Sequence, residues 1–210
     1  MGERPAAGGG KWVDVAPERV GRWLENFGTR HGPYREIGLT LIAADGAEAS
    51  LHAPPGVGEP ATVAELTAAA LAPRRFGLLL ARKGAVAAGV VDGGELVMSK
   101  VDTHYVQGRT AAGGWSQQRF ARRRDNQAKA AAADGAGIVG RILLPEVRTL
   151  TALVTGGDRA AVEAILADRV LAPLAALRAG RLLDVPEPRH AVLVSAIAMA
   201  RAVPILIREP

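Results

Sequence analysis

RFGLLLA (Arg75–Ala81) is the first of three short apolar runs, and AVAAGVV (Ala85–Val91) and ELVMSKV (Glu95–Val101) follow it closely. Lys83-Gly84 separates the first two runs, and Asp92-Gly93-Gly94 separates the second from the third. Tight turns that contain glycine between apolar runs are typical of hairpins. The sequence therefore predicts an antiparallel meander of three strands.

A segment with a large surplus of positive charge follows the third strand. GRTAAGGWSQQRFARRRDNQAK (Gly108–Lys129, called the basic segment) contains six basic residues and one acid, Asp125. The whole chain has 26 Lys+Arg and 21 Asp+Glu, so the remainder has 20 of each sign and the net charge of +5 lies in this segment. Such concentration favours contact with a phosphate backbone over a merely solvated face. The basic residues are Arg109, Arg119, Arg122, Arg123, Arg124 and Lys129.

The second half of the basic segment predicts a helix that starts near Ser116, a suitable N-cap residue. Spacings of three and four residues place one polar face at Arg119, Arg122, Arg123, Asn126 and Lys129. The opposite face is apolar and is expected to pack on the sheet; it comprises Phe120, Ala121, Ala128 and Ala131.

Residues 1–72 predict a small α+β module at the N-terminus. Residues 1–12 have the composition of a flexible lead. Pro17–Arg30 predicts a helix with one apolar stripe, and Thr62–Leu71 predicts another that begins with a capping box. Between them, Ile37–Ala43 and Glu48–Ala53 predict strands of a hairpin.

Residues 73–210 form the predicted second domain, which begins at the Ala72-Pro73 joint. Beyond the basic segment, a strand is predicted at Arg148–Val154, followed by a helix that runs from Arg159 towards Arg178 with an interruption at Pro173. A strand, a helix and a last strand are then predicted at Leu182–Val185, Glu187–Ala202 and Ile205–Ile207. Hairpin strands followed by alternating helices and strands predict an α+β fold with a mixed sheet flanked by helices.

Composition excludes several classes of protein. The chain has 210 residues and no cysteine, which excludes disulfides and thiolate metal sites and suits a cytosolic protein. The longest apolar run, Ala191–Ile207, is interrupted by Arg201 and Pro204, so a membrane span is not expected. The four histidines have no spacing typical of metal ligands; they are His31, His52, His104 and His190.

Two glutamines in the basic segment are candidates for chemistry. A glutamine does not titrate, yet Gln117 or Gln118 can orient a water with its carbonyl and donate a hydrogen bond to an oxyanion. Gly113-Gly114 allows the backbone to enter a narrow site without a Cβ clash. Trp115 lies in a polar loop and can either stack on a nucleobase or fold back on its own helix.

Two other arrangements are weighed against structural roles. Asp92, Glu95 and Asp102 are the acids of a possible metal-dependent nuclease, but they fall mostly at turns and strand ends. Thr155-Gly156-Gly157-Asp158 joins a strand to a helix and can hold an anion. It lacks a P-loop lysine, so a purely structural connection is favoured.

The stretch from Phe76 to Gln127 resembles the central domain of class-1 peptide release factors of eukaryotes and archaea. That domain has a strand meander, a loop ending in Gly-Gly-Gln, and a helix reading Ser-x-x-Arg-Phe-Ala-Arg. The matching residues here are Gly113, Gly114, Ser116, Arg119, Phe120, Ala121 and Arg122. The similarity extends from about Arg75 to Arg201.

One departure from the release-factor pattern narrows the resemblance. Trp115 occupies the family's glutamine position, and glutamines follow two and three residues later. A shifted glutamine is the habit of the Vms-like release factors, and the chain is most similar to their actinobacterial branch. These relatives resemble peptidyl-tRNA hydrolases that act in ribosome quality control.

The resemblance implies an RNase H-like core and hydrolysis of the ester between peptide and tRNA. It implies Gln117 as the catalytic residue, with Gln118 as second choice, and no cofactor or metal. Its implied partners are the large ribosomal subunit, peptidyl-tRNA and ribosomal RNA. Its implied location is the cytoplasm. The implied RNA contacts are Arg109, Trp115, Arg119, Arg122, Arg123 and Lys129. A catalytically silent rescue factor of the Pelota type and a metal-dependent ribonuclease are the alternatives.

Overall fold

A computed structural model describes residues 3–82, 84–103 and 116–210, and for residues 103 and 116–126 it describes the backbone alone. The chain forms two compact units. The first comprises Met1–Arg74 together with Ala198–Pro210, and the second comprises Arg75–Ile197. The sequence-based boundaries kept all of 73–210 in one domain, whereas the structure pairs the last strand with strands of the first unit.

The first unit contains one antiparallel sheet and two α-helices. Its strands are β1 (Glu3–Pro5), β2 (Lys11–Val15), β3 (Tyr34–Ile37), β4 (Thr40–Ala43), β5 (Glu48–Leu51) and β11 (Val203–Arg208). They lie in the order β1-β2-β11-β5-β4-β3. The helices are α1 (Val20–His31) and α2 (Val63–Leu71). Apolar residues from both helices and from alternate strand positions form one core.

Most predicted elements of this unit are confirmed, with two exceptions. The flexible lead is wrong, because β1 pairs with β2 and Arg4 lies opposite Trp12. The single strand predicted at Ile37–Ala43 is also wrong, since a turn at residues 38–39 divides it into β3 and β4. The hairpin is confirmed by the pairing of β4 with β5.

The predicted capping box at the start of α2 is confirmed. The Thr62 hydroxyl accepts a hydrogen bond from the Glu65 amide at 3.2 Å. The Glu65 carboxylate accepts one from the Ala61 amide at 2.8 Å, one residue earlier than the pattern requires. Two amide groups that the helix itself leaves unpaired are thereby satisfied.

Replacing Thr62 with alanine is expected to lower the free energy of unfolding by about 1 kcal/mol, because it removes the N-cap. Thr67→Ala is the matched control, since the Thr67 hydroxyl only donates back to the Val63 carbonyl within the same helix. Urea unfolding followed by circular dichroism measures both. Equal losses in the two variants would contradict the capping role.

The second unit contains a mixed sheet of five strands. These are β6 (Arg75–Arg82), β7 (Ala85–Asp92), β8 (Glu95–Thr103), β9 (Leu153–Gly157) and β10 (Arg178–Leu183), in the order β10-β9-β6-β7-β8. β6, β7 and β8 form the predicted antiparallel meander, while β9 runs parallel to β6 and β10 parallel to β9. The helices are α3 (Ser116–Leu143), α4 (Arg159–Leu166), α5 (Ala172–Ala175) and α6 (His190–Arg201), whose last residues belong to the first unit.

Helices cover both faces of this sheet. Val86, Ala88 and Val90 of β7 belong to the core that α3 and α4 share. On the opposite face, a Cβ added at Gly89 would lie 3.7 Å from Leu193 of α6. The predicted α+β class, with a mixed sheet flanked by helices, is therefore confirmed.

Boundaries after α3 differ from the predictions. β9 begins at Leu153 rather than Arg148, and β10 begins at Arg178 rather than Leu182. The long helix predicted from Arg159 ends at Leu166, and Pro173 lies in the first turn of the separate helix α5. Proline suits that position because its missing N–H has no partner in a first turn.

Candidate functional site

Most of the sequence-predicted site lies outside the described residues. Arg109, Gly113, Gly114 and Trp115 fall in 104–115, as does His104. Gln117, Gln118, Arg119, Arg122 and Arg123 lie in the first turns of α3, which begins at Ser116 as predicted. Lys129, farther along the same helix, is exposed.

One turn in the N-terminal half of α3 is not packed into the second unit. Gln127, Ala128, Lys129 and Ala130 form slightly more than one helical turn, and all four are exposed. Exposure on every side of a turn means that no described element covers it. Ala128 was expected to pack on the sheet, and that expectation is wrong.

The lengths of the elements explain this exposure. α3 has 28 residues, which corresponds to about 42 Å of helix. The strands of the meander have 8 or 9 residues, which corresponds to about 30 Å. The helix is thus longer than the sheet on which its C-terminal part packs.

The C-terminal part of α3 anchors the helix. Gly135, Ala136, Ile138, Val139 and Leu143 are buried. A Cβ added at Gly135 would lie 3.0 Å from Ile165 Cδ1 of α4 and 3.2 Å from Val86 Cγ2 of β7. Of the three glycines in α3, Gly135 makes the closest approach to other elements.

The electrostatics of the N-terminal half of α3 favour anions. Positions 119, 122, 123, 126 and 129 fall on one face, because the backbone is helical throughout. The first turn contains no acidic residue, so the positive end of the helix dipole adds to the arginine charges. The arrangement suits binding of a polyanion along one face of the helix, with the glutamines at its end.

Acidic residues of the second unit do not assemble into a site. Asp92 lies opposite Glu95 at one end of the β7–β8 pair, whereas Asp102 lies opposite Val86 near the other end. Seven residues of β8 separate Glu95 from Asp102, which corresponds to about 23 Å. Three acids so arranged cannot share one metal ion. Over residues 3–82, 84–103 and 127–210, no group of three His, Asp or Glu side chains could hold a metal.

Asp92 instead belongs to a network that fixes strand ends. The Arg75 guanidinium donates to the Asp92 carboxylate at 2.6 Å and to the Glu146 carboxylate at 2.8 Å. The hydrogen bond to Glu146, followed by that to Asp92, raises the pKa of Arg75. The Asp92 carboxylate is therefore engaged in a structural contact and is not available for catalysis.

The Thr155–Asp158 connection is structural, as favoured from the sequence. Asp158 Oδ1 accepts hydrogen bonds from the amides of Ala160 at 2.8 Å and Ala161 at 3.3 Å. The N-terminus of α4 is therefore capped by the chain itself. Gly157 has φ +95°, a region that favours glycine, and the Asp158 amide donates to the Ala81 carbonyl at 2.7 Å.

The described histidines lie apart from one another. His31 is buried, and its Nδ1 lies 2.9 Å from an Asp45 carboxylate oxygen. The ring of His52 lies 4.9 Å from that of Trp12, and desolvation lowers its pKa. His190 begins α6.

Sequence reasoning missed the importance of Gly135. A glycine inside a helical pattern lowers helix propensity and often marks close packing, so its position was a usable signal. Its neighbours Ile165 and Val86 come from distant parts of the chain, and no local pattern identifies them.

Comparison with known proteins bears on residues 74–206. A model of the family described as "Actinobacteria/chloroflexi VLRF1 release factor" matches these residues, which are more than half of the chain. No curated protein matches the chain. One solved structure, described as an archaeal protein, is 12% identical with a TM-score of 0.42; the match covers 90% of this chain and 66% of that one. Within the described residues, none of the helices has the length and apolar character needed to cross a membrane.

Proposed function

Because the chain belongs to the VLRF1 release factor family of Actinobacteria and Chloroflexi, we propose that it is a peptidyl-tRNA hydrolase that acts on stalled large ribosomal subunits. Membership of a release factor family supports a ribosome-related function in general. The proposal adds a reaction, the hydrolysis of the ester that joins the nascent peptide to tRNA. It also assigns the reaction to the second unit and, since ribosomes act there, to the cytoplasm.

The observation that carries the proposal is the exposed turn of α3 at the C-terminal end of the basic segment. Residues Gln127–Ala130 are exposed all round, and the chain's whole net charge lies in the basic segment. A positively charged helix that extends beyond its own core can enter an RNA-lined site and carry the preceding loop with it. Ribosomal RNA and peptidyl-tRNA are the partners that this arrangement fits.

The proposed chemistry needs only groups of the basic segment. Gln117 accepts a hydrogen bond from the attacking water and donates one to the oxyanion that forms on the ester carbonyl. Water adds to the carbonyl carbon, the bond to the ribose oxygen breaks, and that oxygen takes a proton. Gly113 and Gly114 allow the loop to approach the ester closely. No metal or cofactor takes part in this scheme.

The deciding experiment uses large ribosomal subunits that carry labelled peptidyl-tRNA, with and without EDTA. We expect free peptide and intact tRNA, with release unaffected by EDTA at concentrations that leave the subunits intact. Cleaved tRNA that disappears with EDTA would indicate the metal-dependent ribonuclease. Binding without release would indicate a silent rescue factor.

The silent rescue factor is the second candidate because of Trp115. That residue occupies the glutamine position of the release-factor pattern. The retained Gly113-Gly114 pair and the adjacent glutamines weigh against it, since pure binding requires neither. The ribonuclease is disfavoured by the distance between Asp102 and the pair formed by Asp92 and Glu95.

Binding to the subunit is expected to depend steeply on salt. Arg122→Gln/Arg123→Gln should weaken binding and reduce the slope of log K against log salt by about 1 to 2, because two phosphate contacts are lost. Arg159→Gln/Arg169→Gln is the matched control; both of these arginines are exposed on the second unit outside the basic segment. Sedimentation with subunits from 50 to 300 mM salt measures the slopes. Equal slopes in the two double variants would contradict the assigned RNA contacts.

A further inference from the structure

Burial along α3 changes abruptly at Gly135. None of the eight residues from Gln127 to Asp134 is buried, whereas Gly135 and most of the apolar residues after it are. The helix is continuous across this point. The core contacts that fix the direction of this part of α3 run from Ala132 to Leu144, and among residues 127–143 the buried ones begin at Gly135.

A Cβ at Gly135 would be in tight contact, which its neighbours could accommodate only by moving a few tenths of an ångström. A Cβ there would lie 3.0 Å from Ile165 Cδ1, 3.1 Å from Ile165 Cγ1 and 3.2 Å from Val86 Cγ2. Glycine is less favourable than alanine in a helix interior. Its presence is explained if the close approach of α3 to α4 and β7 matters more than local helix stability.

Helix geometry amplifies a displacement at this point. Gly135 lies about 12 Å from Leu143 along the axis, and Gln117 lies about 39 Å from it, at 1.5 Å per residue. If Leu143 stays in place, a shift of about 0.5 Å at Gly135 moves Gln117 by about 1.6 Å. Misplacement of about 1 Å at a reacting group can cost about 100-fold in rate.

We propose that Gly135 is a positioning residue for peptide release, which sets the direction of α3 and thereby the placement of Gln117. Gly135 touches neither substrate nor water; it acts through its close contact with Ile165 and Val86. The inference rests on the proposed function for its catalytic consequence, but the direction of the helix can be measured separately.

The neighbouring glycine of α3 provides a matched control. A Cβ at Gly137 would lie 3.6 Å from Arg141 Nη1, which is ordinary van der Waals contact. Gly137→Ala and Gly135→Ala thus make the same chemical change two residues apart. Only the second requires α3 or its neighbours to move, by a few tenths of an ångström.

The test combines activity, stability and distance. Because the chain lacks cysteine, spin labels can be placed at Gln127→Cys and Ala164→Cys, both exposed, and their separation measured by pulsed electron resonance. In Gly135→Val we expect that separation to change by about 2 Å. In Gly135→Ala we expect release at saturating subunits to fall about 10-fold, whereas Gly137→Ala should match wild type in both measurements.

A second substitution that restores peptide release distinguishes a positioning role of Gly135 from a general loss of stability. Ile165→Val removes the Cδ1 atom nearest to the added Cβ. In Gly135→Ala/Ile165→Val we expect the label separation and the release rate to return towards wild type, although a core methyl has been deleted and the melting temperature falls further. A merely structural role for Gly135 would make the double variant slower than either single one.

Two results would overturn the inference. The first is wild-type label separation in Gly135→Val, and the second is reduced release in Gly135→Ala that Ile165→Val does not restore. If wild type itself releases no peptide, the proposed function fails and the catalytic role of Gly135 fails with it. The label separations then still decide whether Gly135 sets the direction of α3.

Discussion

Peptide release by Gln117→Ala is expected to fall by about 10²- to 10³-fold, the usual cost of removing one hydrogen-bond donor to an oxyanion. Gln117 is the second residue of α3. The amides of a first helical turn have no intrahelical partner, and they carry the positive end of the helix dipole. Negative charge that develops on the ester oxygen would be stabilised there by the glutamine and by the helix itself. Single-turnover release from saturated subunits measures the effect on the chemical step.

Gln118→Ala serves as the matched control, since the next residue of a helix is turned by about 100° and cannot occupy the same place. We expect its release rate to stay within a few-fold of wild type. A large loss in Gln118→Ala with normal release in Gln117→Ala would exchange the roles of the two residues. Normal release in both variants would exclude glutamine chemistry altogether, provided that binding to the subunit is unchanged.

Replacing Gly157 with alanine is expected to lower the free energy of unfolding by about 3 kcal/mol. The φ angle of +95° costs a non-glycine residue about 1–2 kcal/mol. The added Cβ would also collide with the Ala81 carbonyl oxygen, which accepts the hydrogen bond from the Asp158 amide. The helix cap at Asp158 depends on the same turn, so strain there weakens more than one interaction. Urea unfolding monitored by circular dichroism gives the difference.

Gly180→Ala is the control for Gly157→Ala. Gly180 lies in β10 of the same sheet, and a Cβ there would meet no atom within 4 Å. Alanine at an unstrained glycine position restricts the unfolded chain, so a small gain in stability is expected. A loss below 1 kcal/mol in Gly157→Ala would show that the connection to α4 relaxes easily.

Local patterns predicted the meander well, because the turns at Gly84 and Gly93-Gly94 fix the pairing of its strands; the register of β7 against β8 shifts between Val90 and Val91. They also predicted the caps at Thr62 and Asp158, which depend on residues only a few positions apart. The failures occurred where distant contacts decide. Lys11–Val15 becomes a strand because β11, nearly 200 residues later, pairs with it. Ala128 reads as part of an apolar helix face, yet the sheet ends before it.

The candidate site likewise divides into residues that local patterns reveal and residues that depend on distant contacts. The glutamines, glycines and arginines of the basic segment are recognisable from residue type and order alone. The contacts that restrain their placement are not recognisable in this way, since Gly135, Ile165 and Val86 are 30 to 79 residues apart in sequence. Close packing of this kind depends on where three elements meet, and no periodicity within one element reveals it.

Strand β11 lies between β2 and β5 in the sheet of the first unit, and this placement governs the order of folding during synthesis. The first 74 residues leave the ribosome early, but they lack a central strand until residues 203–208 have been made and released. The second unit, Arg75–Ile197, has all its strands in one continuous stretch and can fold while translation continues. Completion of the first unit must therefore wait until residues 203–208 have been made, and a nascent chain arrested before residue 203 would retain an N-terminal sheet with two unpaired edges.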